Sequence, residues 1–106
     1  MLEVNKDNFE QEVLQASGPV AVDWWSPKCD PCMELLPEVE RLAEIYGDRV
    51  KFVKVNVLEN RRLAISQRVL GLPTFLFFRD GQKVAELAGP EDCTAEAIEA
   101  ELKRLV

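Results

Sequence analysis

The sequence predicts an α/β fold in which a central mixed sheet of five strands is flanked by four helices. The continuous apolar run Val20–Trp25 is typical of a central strand covered on both faces. Apolar residues between Met33 and Tyr46 recur at helical spacing. The pair Asp80-Gly81, between two strand-like segments, is a strong β-hairpin signal. At 106 residues the chain is long enough for one core, and we expect residues 1–106 to form a single domain.

The first half of the chain alternates between strands and helices. Leu2–Val4 is predicted to form a short edge strand, and Asn5 to cap a helix that ends at Ser17-Gly18-Pro19. This helix has one apolar face, made of Phe9, Val13 and Ala16. After the strand Val20–Trp25, a longer helix runs to Tyr46 and turns its acidic residues and Arg41 to water.

The second half continues the alternation and then changes to a hairpin. Its predicted elements are a strand at Val50–Val57, a helix at Asn60–Leu70 stopped by Gly71, strands at Thr74–Phe78 and Lys83–Ala88, and a last helix from Asp92 or Thr94. The order βαβαβ followed by ββα predicts parallel strands first and antiparallel strands last.

Charge and composition exclude several classes of partner. Thirteen basic and 19 acidic residues give a net charge of −6, which argues against nucleic acid or an anionic membrane as the partner. Charged residues such as Glu3 and Lys6 interrupt the N-terminus, so no signal peptide is predicted. The charge-free run Val69–Phe78 is far too short to span a bilayer. We therefore expect a cytoplasmic protein, and a monomer.

The segment Cys29-Asp30-Pro31-Cys32 is the strongest chemical signal in the chain. It lies between a predicted strand and a predicted helix, where a Cys-x-x-Cys pair favours a redox site. The alternatives are half of a zinc site and a pair of inert core cysteines. Zinc needs four ligands, whereas the chain has no histidine and one further cysteine, Cys93. We expect no metal and no organic cofactor, because the cysteine pair is itself a redox centre.

The eight residues from Trp25 to Cys32, at the first strand–helix turn, resemble the thioredoxin family. Five further matches fall in register: Asp23, Pro37, Lys54, the tripeptide Leu72-Pro73-Thr74, and Gly89. The resemblance covers essentially the whole chain and implies the thioredoxin fold. It implies a dithiol–disulfide oxidoreductase that reduces disulfides in target proteins and receives electrons from a thioredoxin reductase-type donor.

The two cysteines are expected to play different parts. Cys29 should lie at the N-terminal edge of the helix, where unpaired N–H groups and the helix dipole stabilise a thiolate. It is then the exposed nucleophile, and Cys32, about one turn later, points inward and resolves the mixed disulfide. Pro31 is tolerated in the first helical turn because its missing N–H would have no helical partner.

Asp23 and Lys54 each have an ordinary and a functional interpretation. A carboxylate inside the run Val20–Trp25 is either solvated at a strand end or buried with a raised pKa. The resemblance favours burial, with Asp23 as the proton acceptor for Cys32. A strand lysine is usually a solvated side chain. The resemblance places Lys54 near Asp23, where its charge would modulate the carboxylate.

The resemblance also assigns a substrate groove beside the cysteines. It implies a cis bond between Leu72 and Pro73, which would expose the Leu72 backbone to pair with an extended substrate segment. Trp25 would form the floor of this groove and Gly89 would keep it open. Trp24 is expected to face the core instead.

Three positions depart from the family pattern. Lys28 stands where a tryptophan is usual, Asp30 stands where a glycine is usual, and Cys93 has no counterpart. Lys28 favours and Asp30 disfavours a thiolate at Cys29, so their effects should nearly cancel. Cys93 is interpreted as a small residue without a redox role, or otherwise as a regulatory or dimer-forming thiol.

Two other functions remain open from the sequence. Ser26-Pro27-Lys28-Cys29 and residues 60–74 are similar to thioredoxins of anaerobic, amino-acid-fermenting bacteria, which donate electrons to glycine-reductase-type selenoenzymes. The chain could therefore be a dedicated donor to such an enzyme or to a peroxidase complex. It could also be a binding subunit of the same fold whose disulfide is purely structural.

Overall fold

The computed structural model describes residues 1–106 and contains one five-stranded sheet in the order β1-β3-β2-β4-β5. The strands are β1 (Leu2–Glu3), β2 (Pro19–Trp25), β3 (Lys51–Asn56), β4 (Thr74–Arg79) and β5 (Gln82–Ala88). The helices are an N-terminal π-helix (Glu10–Leu14), α1 (Asp30–Tyr46), α2 (Arg61–Ser66) and α3 (Ala95–Leu105). None of these helices is long and apolar enough to cross a membrane.

The strand directions confirm the mixed sheet that the sequence predicts. β1 and β2 both run parallel to β3, whereas β4 is antiparallel to β2 and to β5. The turn between β4 and β5 consists of Asp80 and Gly81, with φ of 51° and 81°. A two-residue hairpin turn of this hand needs positive φ at both positions, which Asp-Gly accepts at little cost. The hairpin signal was therefore correct.

Two hydrophobic clusters, one on each face of the sheet, hold the fold together. The first cluster contains Trp24, Phe9 at the N-cap of the π-helix, Val13 within that helix and Ala64 of α2. The second cluster is formed under α1 and α3, which contribute Val39, Leu42, Tyr46, Ile98, Leu102 and Leu105. Successive strand residues point to opposite faces. Asp23 therefore lies on the face covered by α1 and α3, opposite to Trp24.

Two helices differ from the sequence prediction. The first is a single π-helical turn, in which the Gln15 N–H donates to the Glu10 carbonyl over 2.8 Å. Phe9 and Val13 are four residues apart, a spacing that fits an α-turn or a wider turn equally well. Periodicity could not distinguish the two.

The helix predicted at Asn60–Leu70 begins where expected, with Asn60 as its N-cap, but it ends earlier than predicted, at Ser66. Arg68 adopts a left-handed conformation, with φ of 61°. Its N–H donates to the Ile65 carbonyl at 3.0 Å, and the Val69 N–H donates to the Ala64 carbonyl at 2.9 Å. This is the Schellman pattern that satisfies the last carbonyls of a helix. The terminating residue is Arg68 rather than Gly71.

Candidate active site

The predicted site residues meet at one end of the sheet. Trp25 at the end of β2 is in register with Asn56 at the end of β3, and Trp24 is in register with Thr74 at the start of β4. Because β4 runs antiparallel to β2, the turn that follows β2 and the loop that precedes β4 lie at the same end of the sheet. The cysteine turn and the Leu72-Pro73 loop are thereby neighbours.

Ser26, which the sequence analysis did not assign, holds the cysteine turn in shape. It is buried, its Oγ accepts from the Lys28 N–H at 3.0 Å, and its carbonyl accepts from the Cys29 N–H at 3.0 Å. Serine often bonds to the backbone two residues ahead in turns. A serine before Pro27 is the signal that could have identified it.

Cys29 is the N-cap residue of α1, as the sequence predicts, and it has an extended backbone. The helix begins at Asp30, so it includes Pro31 and Cys32 and starts before the apolar periodicity at Met33. Cys29 and Cys32 are joined by a disulfide, with their Cα atoms 5.2 Å apart. The Cys32 N–H donates to the Cys29 sulfur at 3.2 Å. A donor aimed at this sulfur favours its anionic form.

The two cysteines differ in access to water. Cys29 is half-buried, whereas Cys32 is 6% exposed on the side of α1 that packs over the sheet. Lys28, Asp30 and Pro31 are exposed around them. Of the two cysteines, Cys29 and the side chains that flank it are therefore the more accessible to solvent.

Asp23 is buried in β2 on the face that α1 covers, with 6% of its surface exposed. Burial raises its pKa to about 7, because the charged form loses water, and the positive charge of Lys54 opposes this rise. Lys54 is the register partner of Asp23 on β3. Its Nζ lies 5.1 Å from the ring centroid of Trp25 and forms no ion pair.

The loop before β4 contains the cis peptide bond between Leu72 and Pro73 that the resemblance implies. The Pro73 carbonyl accepts from the Gly89 N–H at 2.8 Å. Gly89 has φ of 90°, and a Cβ built there would meet no atom within 4 Å. The N–H and C=O of Leu72 have no hydrogen-bond partner in the protein. Trp25 is half-buried, whereas Trp24 is fully buried as expected.

Cys93, the third thiol, lies behind this loop rather than in it. It is 4% exposed, and its sulfur is 3.3 Å from the Leu87 carbonyl and 3.5 Å from the Pro73 carbonyl. Burial raises the pKa of this thiol to about 11, so it stays protonated near neutral pH and donates to these carbonyls. Nowhere in the chain do three cysteine or acidic side chains come together in an arrangement that could hold a metal ion.

Comparison with known proteins gives one consistent result. The family model described as Thioredoxin matches residues 1–104. A thioredoxin of Acetoanaerobium sticklandii is 47% identical over 106 residues, covering 100% of both chains. A thioredoxin of Peptoclostridium acidaminophilum is also 47% identical, covering 100% of this chain and 96% of its own. Both relatives agree with the narrower similarity to thioredoxins of anaerobic bacteria.

A solved structure supports the same assignment. A chain from work on the thiol-resolving mechanism of a yeast mitochondrial 1-Cys peroxiredoxin superposes with a TM-score of 0.88. It is 26% identical, and the match covers 99% of this chain and 95% of that one. Together with the Cys29–Cys32 disulfide at the start of α1, these matches confirm the predicted fold and chemistry. The chain belongs to the thioredoxin family and is a dithiol–disulfide oxidoreductase.

Proposed function

We propose that the chain reduces disulfides in partner proteins, with Cys29 as the attacking thiolate and Cys32 as the resolving thiol. The observation that carries this assignment is the asymmetry between the two sulfurs. Cys29 is half-exposed at the N-cap of α1, and its sulfur accepts a hydrogen bond from the Cys32 N–H, whereas Cys32 is buried. A partner disulfide can approach Cys29, and the local donors favour a thiolate there.

The exchange follows in two balanced steps. The Cys29 thiolate attacks one sulfur of the partner disulfide, so that a mixed disulfide forms and the first partner thiolate leaves. Cys32 then loses its proton and attacks the Cys29 sulfur, which forms the Cys29–Cys32 disulfide and releases the second partner thiolate. Both leaving thiolates are protonated from water or from protein groups. Two electrons pass to the partner, and the chain is left oxidised.

Asp23 is suited to accept the proton from Cys32. The carboxyl lies on the sheet face covered by α1, the helix that carries Cys32, and its pKa is raised to about 7. A base whose pKa lies near the working pH is the most effective proton acceptor. Lys54 modulates this acidity, because its charge lowers the pKa of Asp23 while its ammonium rests over the Trp25 ring.

The Leu72 backbone is suited to bind an extended segment of the partner. A free N–H and a free C=O at a sheet end can each pair with a strand laid alongside. Trp25, Pro31, Pro73 and Gly89 would line the path of that segment. Lys28 and Asp30 would meet the partner residues next to its cysteine.

The oxidised chain must then regain two electrons. We expect a thioredoxin reductase-type protein to supply them through the same disulfide. We also expect residues 1–106 to act as a single-domain monomer in the cytoplasm.

Trapping experiments test the assignment of the cysteines. Cys29→Ser should abolish insulin reduction with dithiothreitol as the electron source, because the attacking thiolate is absent. Cys32→Ser should still attack and then remain joined to its partner, since the resolving thiol is gone. Mass spectrometry of the Cys32→Ser variant after incubation in cell extract should find partners bound through Cys29.

Cys93→Ser is the matched control, since it removes a buried thiol from the same chain and should leave insulin reduction unchanged. Partners trapped on Cys32 in the Cys29→Ser variant, with none on Cys29 in the reverse variant, would exchange the two roles. A wild-type chain that fails to reduce insulin would favour a purely structural disulfide.

A further inference from the structure

Lys54 on β3 lies within reach of two different side chains of the neighbouring strand β2. It is the parallel register partner of Asp23. Trp25 stands two residues after Asp23 on β2, so its side chain points to the same face of the sheet. Neighbouring strands are about 5 Å apart, a distance that the lysine stem can cross towards either side chain. The ammonium could therefore pair with the carboxyl or rest on the indole ring.

The structure shows the second arrangement. The Lys54 Nζ lies 5.1 Å from the centroid of the Trp25 ring, within the ~6 Å over which an aromatic face attracts a cation. Lys54 takes part in none of the ion pairs of the chain. The indole N–H of Trp25 is buried and has no partner, so no hydrogen bond anchors the ring. The ammonium over its face is thus the polar contact of this side chain.

The other groups around Asp23 carry no charge near neutral pH. From α1 comes Cys32, which does not titrate while it is in the disulfide. From the segment before α3 comes Cys93, which stays neutral because burial raises its pKa to about 11. From β4 the register partner of Asp23 is Phe75. Lys54 is therefore the charge that acts on the carboxyl.

The remaining ionisable pair on this face lies at the other end of the sheet. Tyr46 ends α1, and its hydroxyl donates to the Glu99 carboxylate at 2.8 Å. The Tyr46 carbonyl accepts from the Val50 N–H just before β3 begins, whereas Lys54 is near the end of that strand. The position of the Lys54 ammonium is what can change the acidity of Asp23.

An ammonium that moved from the ring to the carboxyl would weaken Asp23 as a base. An opposite charge within ~4–6 Å lowers the pKa of a carboxyl by about 1–3. At present burial raises the pKa of Asp23 to about 7, and Lys54 opposes this rise only in part. A carboxylate with a lower pKa takes a proton from a thiol less readily.

We propose that Trp25 is a positioning residue whose ring face retains the Lys54 ammonium and so keeps Asp23 unpaired and able to accept the Cys32 proton. The inference rests on the proposed function, because it assigns Trp25 to the step in which Asp23 accepts that proton. Without the ring, the ammonium is released and pairs with the carboxylate. Trp25 then influences resolution of the mixed disulfide through Lys54, in addition to any contact with the partner.

A carbon-13 NMR titration of the Asp23 carboxyl tests this directly. The oxidised chain is labelled at its aspartate carboxyl carbons, and the Asp23 signal is assigned by its absence in Asp23→Asn. Trp25→Leu, Trp25→Phe, Lys54→Met and the double variant Trp25→Leu/Lys54→Met are titrated in parallel. Trp24→Phe is the matched control, because it alters the adjacent tryptophan on the opposite face of β2.

Trp25→Leu should lower the Asp23 pKa from about 7 to about 6, because the released ammonium approaches the carboxylate. Trp25→Phe keeps a weaker aromatic face, so its value should fall between these two. This variant also carries the test if the leucine variant does not fold. Lys54→Met should raise the pKa above 7, and adding Trp25→Leu to it should cause no further change. Trp24→Phe should leave the pKa at the wild-type value.

The kinetics of mixed-disulfide resolution give a second measurement. This step is intramolecular, so its rate does not depend on how tightly Trp25 contacts a free partner. The pH at which the step reaches half its limiting rate should move down with the Asp23 pKa in Trp25→Leu. If the pKa moves and this midpoint does not, Asp23 is not the proton acceptor, and Trp25 has no part in the step.

Two results of the titration would overturn the proposal itself. An Asp23 pKa that is the same in the wild type, Trp25→Leu and Trp25→Phe would show that the ring does not control the ammonium. An equal fall on adding Trp25→Leu with and without Lys54 would show that the ring acts by excluding water from the carboxyl instead.

Discussion

Asp23 and Trp24 are consecutive residues of β2, and both are buried, yet their environments differ completely. Trp24 is 0% exposed in an apolar cluster with Phe9 and Phe78. Asp23 is 6% exposed on the other face, beneath α1 and beside Lys54. The alternation of a strand sends one side chain to each face.

The difference shows how one strand supplies both stability and chemistry. The buried cluster around Trp24 is apolar, and its residues contribute burial and packing. The face of Asp23 is covered by α1, which carries the redox disulfide, and it also holds the Cys93 thiol. A carboxyl buried without an ion pair costs stability. This cost is consistent with a functional role for Asp23.

The largest expected effect on stability comes from a substitution on the apolar face of β2. Trp24→Ala should lower the free energy of unfolding by about 3–5 kcal/mol, because it removes a fully buried aromatic side chain and leaves a cavity. The rate of insulin reduction per folded molecule should stay the same. Urea denaturation and turnover, both measured below the unfolding transition, check the two halves of the prediction.

Trp24→Phe is the matched control for this cavity. It retains the aromatic contact with Phe9, whose ring centroid lies 5.6 Å away, and it removes an indole N–H that has no partner. We expect a smaller loss than for alanine. A fall in turnover that exceeds the fall in folded fraction would show that the apolar face also shapes the active site.

On the polar face, Asp23→Asn should stabilise the oxidised chain in a pH-dependent way. Between about pH 4, where an ordinary carboxyl ionises, and the raised pKa of about 7, the native state keeps a proton that the unfolded state has lost. Wild-type stability therefore falls as pH rises through this window. The asparagine variant lacks that fall, so its advantage should grow to on the order of 4 kcal/mol near pH 8. Urea midpoints across pH check this.

The same variant should be a slower enzyme. At neutral pH Cys32 loses its proton acceptor, and we expect the resolving step to slow about tenfold or more. In the wild type that step should also slow as pH falls below the Asp23 pKa of about 7, because the carboxyl becomes protonated. Stopped-flow kinetics of mixed-disulfide resolution measure both effects. Equal rates for the two proteins from pH 6 to pH 9 would restrict Asp23 to a structural role.

Much of this contrast could be predicted from the sequence, because it depends on local patterns. An apolar strand with one carboxylate, a Cys-x-x-Cys pair at a strand–helix turn and an Asp-Gly hairpin each have a direct physical meaning. The helix N-cap at Cys29 agrees with those patterns, whereas the burial of Asp23 was favoured by the family resemblance. The roles of Leu72 and Gly89 required the family resemblance, since neither residue type indicates a groove by itself.

Other features depend on tertiary structure and could not be predicted. A left-handed Arg68 is not readable from the sequence when Gly71, a better candidate, stands three residues later. The apolar groove lined by Val57, Ile65 and Leu70 depends on how the end of β3 packs against α2, and the sequence predicted the end of that helix incorrectly. The pKa of Asp23 is raised to about 7 by burial, the charge of Lys54 opposes this rise, and both effects depend on how the strands and α1 pack. The Lys54 ammonium lies over Trp25 instead of forming an ion pair.

The smallest expected effect concerns the two exposed charges beside Cys29. Asp30→Asn should favour the Cys29 thiolate, because it removes an adjacent negative charge while keeping the shape of the side chain at the start of α1. The reduced form then gains stability, so the reduction potential should become more oxidising by about 10–30 mV at most. Lys28→Gln should shift it in the opposite direction, and the double variant should nearly match the wild type. Both shifts should shrink at high salt, because Lys28 and Asp30 are exposed.

Redox equilibration with glutathione and thiolate absorbance titrations at two salt concentrations measure these shifts. Shifts of the reverse sign, or shifts that salt does not change, would attribute the tuning of this turn to its geometry rather than its charges.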